Sequence, residues 1–459
     1  MRPLSVLLVV YAFPPAGGVG VLRAASLTRY FPSEGIKLDV LTTRNPSSVG
    51  MDHSLLREIP PEVKIHRTIT LDLPFGIKKW IKNFVTGAKP RATQNIATPN
   101  SGKPNFLKRA LQDVLLPDPQ VTWLPVLTRA ARRIVRERNI DLVLITGAPF
   151  SNFLLAERLR KEFPSLPIVL DFRDEWLSTS FDIASFQFSR SDRARRFAIE
   201  AEASAVRSAT AVVAVTEASR REIRARYPNE PESKFRHIPN GFDATRLQSA
   251  AASTGCRSDG RIVVTYLGTV YSSTEPTALV QALHSLPAEV KAKFKICFIG
   301  RIEEPRYREA LLQLGEMVEL KGYLPQPEAL AAMNEADYLL LVTHDRLNIS
   351  AKFYEYVGAG KPILATVHPE GDVRRLLEDL RAGWWAGNHD VEGIRQLFLD
   401  AAERGSGLYS EFQPDREKIA RYERKVLAQR YAGLLHDIAR RAHERETNAQ
   451  VGKPGGRGE

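Results

Sequence analysis

The chain of 459 residues, 43% hydrophobic and 26% charged with a net charge of +12, has a globular composition and is too long for one ordinary core, so two domains of roughly 200 residues each are expected. No apolar run approaches the ~18 residues of a membrane-crossing helix, which argues against an integral membrane protein. Two cysteines without paired spacing, Cys256 and Cys297, argue against a disulfide scaffold or a structural zinc site and fit a reducing, cytoplasmic compartment.

Arg2 followed by "PLSVLLVVYA" admits a secretory reading, but Leu4 to Tyr11 form an apolar, partly β-branched run ended by prolines and glycines, the pattern of a buried parallel strand. Next comes "FPPAGGVGVLRAA", Phe13 to Ala25, leading into helical spacing of Leu22, Ala25, Tyr30 and Phe31, a Gly35 stop and a second strand, "IKLDVLTT". This is a strand, Gly-rich loop, helix, strand unit. Glycines between a first strand and its helix let a ligand approach the backbone, and the N–H groups opening the helix attract phosphate; a tight turn alone is the plainer alternative. The spacing of Gly17, Gly18 and Gly20 is not that of a dinucleotide fingerprint, and the second strand ends at Thr42, Thr43 and Arg44 instead of a carboxylate. Arg44 keeps an NADP-dependent reductase open.

Residues 45–125 show little regular pattern. The polar, Pro-rich stretch 86–104 predicts a mobile insertion. Within residues 75–85, Ile77, Trp80, Ile81, Phe84 and Val85 recur at helical spacing with Lys78, Lys79 and Lys82 on or beside the other face. Such a helix lies on an anionic membrane surface or packs on its own domain.

Alternation then resumes: a basic helix "LTRAARRIVRER", strands "IDLVLITG", "PIVLDF" and "AVVAVT", and helices at about 152–163, through "RARRFAIEAEASAVRSA" and near 218–226. After "HIPNGFD" and a polar linker at 246–260 the pattern restarts, with strands expected at "RIVVTYLG", "FKICFIG", "VELKGY", "DYLLLVT" and "KPILATV". Repeated βα units predict an α/β fold of two Rossmann-like, doubly wound parallel sheets, at 1–245 and 261–410. A long helical segment, 411–446, and a Gly-containing tail, 447–459, expected to be disordered, complete the chain. Open α/β sheets bind ligands beyond the carboxyl ends of their strands. There the sequence places Gly17 and Gly18, "TGAPFSN", "DFRDEW", "PNGFD", "LGTVYSS", "FIGRIEE" and "THDRLNISAKFYEY".

In their order and spacing, "FPPAGGVG", "DFRDEW", "VTEAS", "HIPNGFD", "YLGTVY" and "SAKFYEYVGAGKPILA" resemble the family 4 type of glycosyltransferase, over about residues 5–440. The resemblance implies the GT-B fold, with two sheets facing a cleft and a C-terminal helix returning to the first domain. It implies retaining transfer of a sugar from a nucleotide sugar to a saccharide or lipid-linked acceptor, in polysaccharide or glycolipid assembly at the inner face of the membrane. Carried over by position, Gly17 and Gly18 line the donor diphosphate, and Glu355 holds the ribose hydroxyls, since a carboxylate accepts two hydrogen bonds from a diol. Gly268, Ser350 and Tyr354 join it on the donor side. Helix capping is the structural alternative for Glu355.

Departures from the family pattern redirect other roles. The first of its two glutamates is Leu347 here, leaving Asp345, Asn348 or a backbone amide to contact the sugar. The loop "YLGTVYSSTEP" lacks the cation for the diphosphate, leaving Arg301, Lys352 or Arg23. "TGAPFSNFL" lacks a histidine and offers Asn152, while "DFRDEW" offers Asp174 as base or acceptor ligand and Arg173 as anion ligand, or the two as a structural pair. Arg23 and Asn240 are assigned to the acceptor side. No Asp-x-Asp or His-x-His occurs, so a metal-free site without further cofactor is expected. The arginine-rich stretches alternate with glutamates and carry no nucleic-acid motif, which argues against a nucleic-acid partner. Other GT-B chemistry, by an inverting transferase or a nucleotide-sugar epimerase, and an inactive nucleotide-sugar-binding scaffold are the alternatives.

Overall fold

The computed structural model describes residues 2–46, 51–70, 115–181, 191–249, 260–405 and 411–451; the expected segments 75–85 and 86–104 and most of the linker fall outside them. The chain forms two units. The first runs to Ile238 and resumes at Leu427, and the second spans Pro239–Val426.

The first unit is built on β1 (Leu4–Val9), α1 (Val19–Tyr30), β2 (Ile36–Thr43), β3 (Lys64–Thr68), α2 (Leu124–Arg138), β4 (Leu142–Gly147), α3 (Leu154–Glu162), β5 (Ile168–Phe172), α4 (Asp192–Ser208), β6 (Ala211–Ala214), α5 (Glu217–Arg226) and β7 (Phe235–His237). Its seven strands are parallel in the order β3-β2-β1-β4-β5-β6-β7. Strand alternation divides the core between two faces. Leu7 and Val9 point to the layer of α2, α3 and α4, while Val6, Leu8 and Val10 point to α1 and the last helix. Side chains fix the helix starts, Ser191 accepting from Ala194 N (3.1 Å) and Thr216 from Ser219 N (3.0 Å). Asn139, in the left-handed region at φ 48°, ends α2.

The second unit holds β8 (Ile262–Leu267), α6 (Thr277–His284), β9 (Phe294–Ile299), α7 (Pro305–Leu312), β10 (Val318–Gly322), α8 (Gln326–Glu335), β11 (Tyr338–Val342), α9 (Ala351–Gly358), β12 (Ile363–Val367), α10 (Asp372–Asp379), β13 (Gly383–Gly387) and α11 (Val391–Arg404). Six parallel strands run β10-β9-β8-β11-β12-β13. Val264 and Tyr266 bury toward α6 and α11; Val263 buries toward α9 and α10. Cys297 on β9 is fully buried and disulfide-bonded, where the lack of paired spacing had argued against a disulfide scaffold; Cys256 lies outside the described residues.

The final helix, α12 (Arg424–Val451), returns to the first unit, laying Leu427, Ala428, Tyr431, Ala432 and Leu435 against the face of β1 and β2. It continues past Thr447, where a disordered tail was expected. The first unit ends its first passage at Ile238, earlier than the expected 245. Both sheets reverse their strand order beside the first strand, between β1 and β4 and between β8 and β11, and the loops and helices following those four strands carry most of the expected site residues.

Candidate functional site

In the second unit, glycines set the geometry at the ends of β8 and β9. Gly268 (φ +122°) and Gly300 (φ +137°) nest so closely that a Cβ on Gly300 would lie 2.1 Å from the Gly268 carbonyl oxygen. Only glycine fits there. Lys352, in the first turn of α9, reaches this nest, its Nζ standing 3.1 Å from where a Gly268 Cβ would be and donating to the Tyr266 hydroxyl at 2.8 Å. The cation absent from the loop after β8 is thus supplied beside it by a helix distant in sequence. Ser350 precedes that helix with no side-chain cap, so the first N–H groups of α9 have no hydroxyl partner. A helix start, a lysine and a bare glycine turn together suit a diphosphate.

Glu355 lies one turn further along α9. Its side chain is 28% exposed, its nearest cation is Arg424 at 3.9 Å, and its carboxylate makes no hydrogen bond among the described residues. Burial pushes its carboxyl above the usual range, against the pull of Arg424, Arg246 and Lys352. Tyr354 is buried, and Tyr356 fixes the loop by accepting from Leu267 N (2.8 Å). The Asp345 carboxylate accepts from Leu347 N (2.8 Å), Asn348 N (2.9 Å) and Asn348 Nδ2 (2.9 Å), closing the loop on itself. That leaves Asn348 Oδ1 buried and without a partner. Arg301 is exposed and stacks over Tyr323 at 5.7 Å. Asn240 lies just past the start of this unit.

Glu275, His344 and His389 bring ligand-type atoms within 4.8 Å of one another. His344, however, already uses both nitrogens: Nε2 donates to the Glu275 carbonyl (2.9 Å) and Nδ1 accepts from the Asn388 amide (2.7 Å). The imidazole therefore clips together the loops following β8, β11 and β13.

In the first unit the corresponding polar groups bond to the protein itself. Arg173 donates to three backbone carbonyls, those of Gly147, Gly20 and Ala148, so its guanidinium joins the first turn of α1 to the end of β4 instead of standing open as an anion ligand. Arg23 forms a bidentate pair with buried Asp171 (2.8 and 3.0 Å) and donates to Ile238 O (3.1 Å), while Tyr431 of α12 donates to the same carboxylate (3.2 Å). A structural arginine–aspartate pair thus forms between Arg23 and Asp171, while Asp174 acts on Arg173 through its charge. Asn152 is buried, donating to Thr146 O (3.0 Å) with its Oδ1 unpartnered. Asp174 is partly exposed, and Gly17 and Gly18 lie at the start of α1, Gly18 at φ +100°.

The sequence reading missed several residues. Glu175 and Glu202, both fully buried, share Arg226, which lies 2.8 Å from Glu202, and Tyr227 donates to Glu202 at 2.8 Å. Burial pushes Glu202 up to about 7, with neighbouring Glu175 adding to the shift and Arg226 opposing it. Glu175 lies inside "DFRDEW", but nothing local in the sequence points to partners on α4 and α5. Asp118 accepts from Ser151 N (2.9 Å), and burial raises its carboxyl. Arg424 has no local signal either, because only the fold brings it to Glu355.

Comparison with known proteins gives this geometry its context. Residues 95–246, about a third of the chain, match the model of Glycosyltransferase Family 4, so the resemblance read from the motifs holds for that segment. A stretch of 169 residues, 35% of the chain, is 26% identical to WcaL of Salmonella typhimurium, by name a colanic acid biosynthesis glycosyltransferase; the match spans 41% of that relative. Among solved structures, Anabaena Alr3699/HepE in complex with UDP is similar at TM-score 0.60 and 14% identity, covering 95% of this chain and 100% of that one. The sucrose-phosphate synthase of Thermosynechococcus elongatus is similar at TM-score 0.61 and 15% identity, covering 95% and 99%. At TM-score 0.60 and 13% identity, the trehalose 6-phosphate synthase of Burkholderia multivorans covers 96% and 100%. These likenesses show the fold, a GT-B chain of two Rossmann-like units.

Proposed function

We propose that the protein is a glycosyltransferase whose second unit binds a nucleoside diphosphate sugar. Lys352, the Gly268–Gly300 nest and the start of α9 take the diphosphate, and Glu355 takes the ribose diol. One observation carries the reading: Glu355, largely packed and surrounded by three cations, makes no hydrogen bond among the described residues, so its acceptors are available to a ligand. The unpartnered Asn348 Oδ1, in the loop that leads into α9, suits a sugar hydroxyl.

The chemistry that follows is retaining. The bond from the sugar's anomeric carbon to the donor phosphate breaks, an acceptor oxygen bonds to that carbon on the same face, and the acceptor proton passes to the departing phosphate. The protein's part is to position both substrates and stabilise the phosphate charge. The nucleotide-sugar class is supported by the UDP complex of the structurally similar Anabaena protein, and a role in cell-surface polysaccharide assembly by the name of WcaL. No helix among the described residues is long and apolar enough to cross a membrane, and the proposed place of action is the cytoplasm or the inner membrane face.

Calorimetry with UDP, GDP, ADP and TDP, without added metal, tests the donor site. One nucleotide is expected to bind wild type and to lose about tenfold to a hundredfold in affinity in Glu355→Ala, the worth of hydrogen bonds to a charged group. Equal binding to the variant sinks the ribose role, and binding without turnover of the matching nucleotide sugar favours the scaffold reading.

A further inference from the structure

The outer face of α2 and α3 carries a groove of about 600 Å³ lined by Arg129, Arg132, Arg133, Arg136 and Arg158, with Glu137 at its end. Five guanidiniums in one concavity repel one another, and the carboxylates at hand do not balance them. Glu162 pairs with both Arg132 and Arg136, and Glu137 stands 3.9 Å from Arg133. Arg158 donates to the Thr128 hydroxyl (3.1 Å), and Arg129 makes no ion pair among the described residues. Folding alone gives no reason to collect these charges. A partner that brings negative charge does.

The groove follows α2 from Pro125 to Glu137, about 18 Å by helical rise. A single phosphate would engage one or two of the arginines and leave the others unsatisfied. The same layer of helices also carries exposed apolar side chains. Val126, 42% exposed, lies one turn before Arg129, and on neighbouring α4 Ile199, 46% exposed, follows exposed Arg195 and Arg196. A row of arginines edged by protruding aliphatic groups matches a surface presenting both a row of phosphates and an apolar layer beneath.

We infer that the α2–α3 face of the first unit docks on an anionic phospholipid bilayer, lipid phosphates entering the arginine groove while Val126 and Ile199 touch the acyl boundary. This surface is separate from the donor site and does not depend on the donor reading.

The test is co-sedimentation of the full chain with vesicles of phosphatidylcholine alone or with roughly one third phosphatidylglycerol. Binding is expected only to the anionic vesicles, weakening as salt rises. It is expected to fall about tenfold or more in Arg129→Glu/Arg133→Glu and by less, but measurably, in the milder Arg129→Ala/Arg133→Ala. A reversal of equal charge on exposed residues of the second unit, Lys293→Glu/Arg308→Glu, is expected to leave binding near wild type. Circular dichroism melts establish that each variant is folded. Absence of vesicle binding overturns the proposal, as does equal loss in the groove and control variants. Calorimetric binding of inorganic pyrophosphate that the groove variant abolishes, with no vesicle binding by wild type, also overturns it and gives the groove to a soluble anion.

Discussion

The loop after β5 in the first unit and the segment from β11 into α9 in the second are both dense in charged residues, yet they use them in opposite ways. At the end of β5 Asp171 is tied to Arg23 and Tyr431, and just after it Arg173 is tied to three carbonyls and Glu175 to Arg226. Around α9, Glu355 makes no hydrogen bond among the described residues and Asn348 Oδ1 is unpartnered. Charge density alone therefore does not mark a site. What separates a structural knot from a binding surface is whether the hydrogen-bonding capacity is already filled.

That contrast is open to direct attack. Asp171→Asn leaves Arg23 buried against a neutral amide and is expected to destabilise the first unit by about 3–5 kcal/mol, read as a lower denaturant midpoint; a loss below about 1 kcal/mol would dissolve the knot. Gly300→Ala places a Cβ on the Gly268 carbonyl and forces a side chain at φ +137°. A loss of about 2 kcal/mol or more is expected, with nucleotide binding weakened beyond the stability change because the nest itself is displaced.

The Glu202 cluster sharpens the comparison through pH. A carboxyl raised from 4.5 to about 7 binds more protons folded than unfolded, so its contribution to stability is present below about 4.5 and is lost as pH rises to about 7. Melting midpoints across that window are expected to slope downward in wild type and to flatten in Glu202→Gln. An unchanged slope would assign the titration elsewhere. The smallest effect belongs to Glu355→Ala, whose stability is expected to stay within about 1 kcal/mol of wild type while nucleotide affinity collapses, since a partner-poor buried carboxylate costs stability.

How much of this was legible in the sequence follows the same division. Leu4–Val9, Ile36–Thr43 and Ile262–Leu267 announced themselves because strands covered on both faces need near-continuous apolar runs. Lys64–Thr68, Phe235–His237 and Gly383–Gly387 did not. They are short edge strands, and "KIHRT", "FRH" and "GWWAG" carry neither an apolar run nor clean alternation. Glu355 was singled out through the family resemblance of "FYEYVGAGKP", whereas Arg424 and the pair Arg23–Asp171 depend on contacts between residues far apart in the chain. The arginines of "LTRAARRIVRER" read as a solvated helix face, because sequence periodicity gives the side of a helix but not the groove that a second helix makes with it.

The return of α12 to the first unit also sets an order of events during synthesis. The sheet of β1 to β7 is made first, but the helix that covers one of its faces is added only after the 188 residues (426 − 238) of the second unit. At ribosomal speed that interval lasts roughly 10–40 s. Throughout it, the groove that receives Leu427, Tyr431 and Leu435 stays uncovered, so the first domain to emerge is the last to be finished, and a chain stopped short of Leu427 would present a nascent apolar surface to chaperones and proteases.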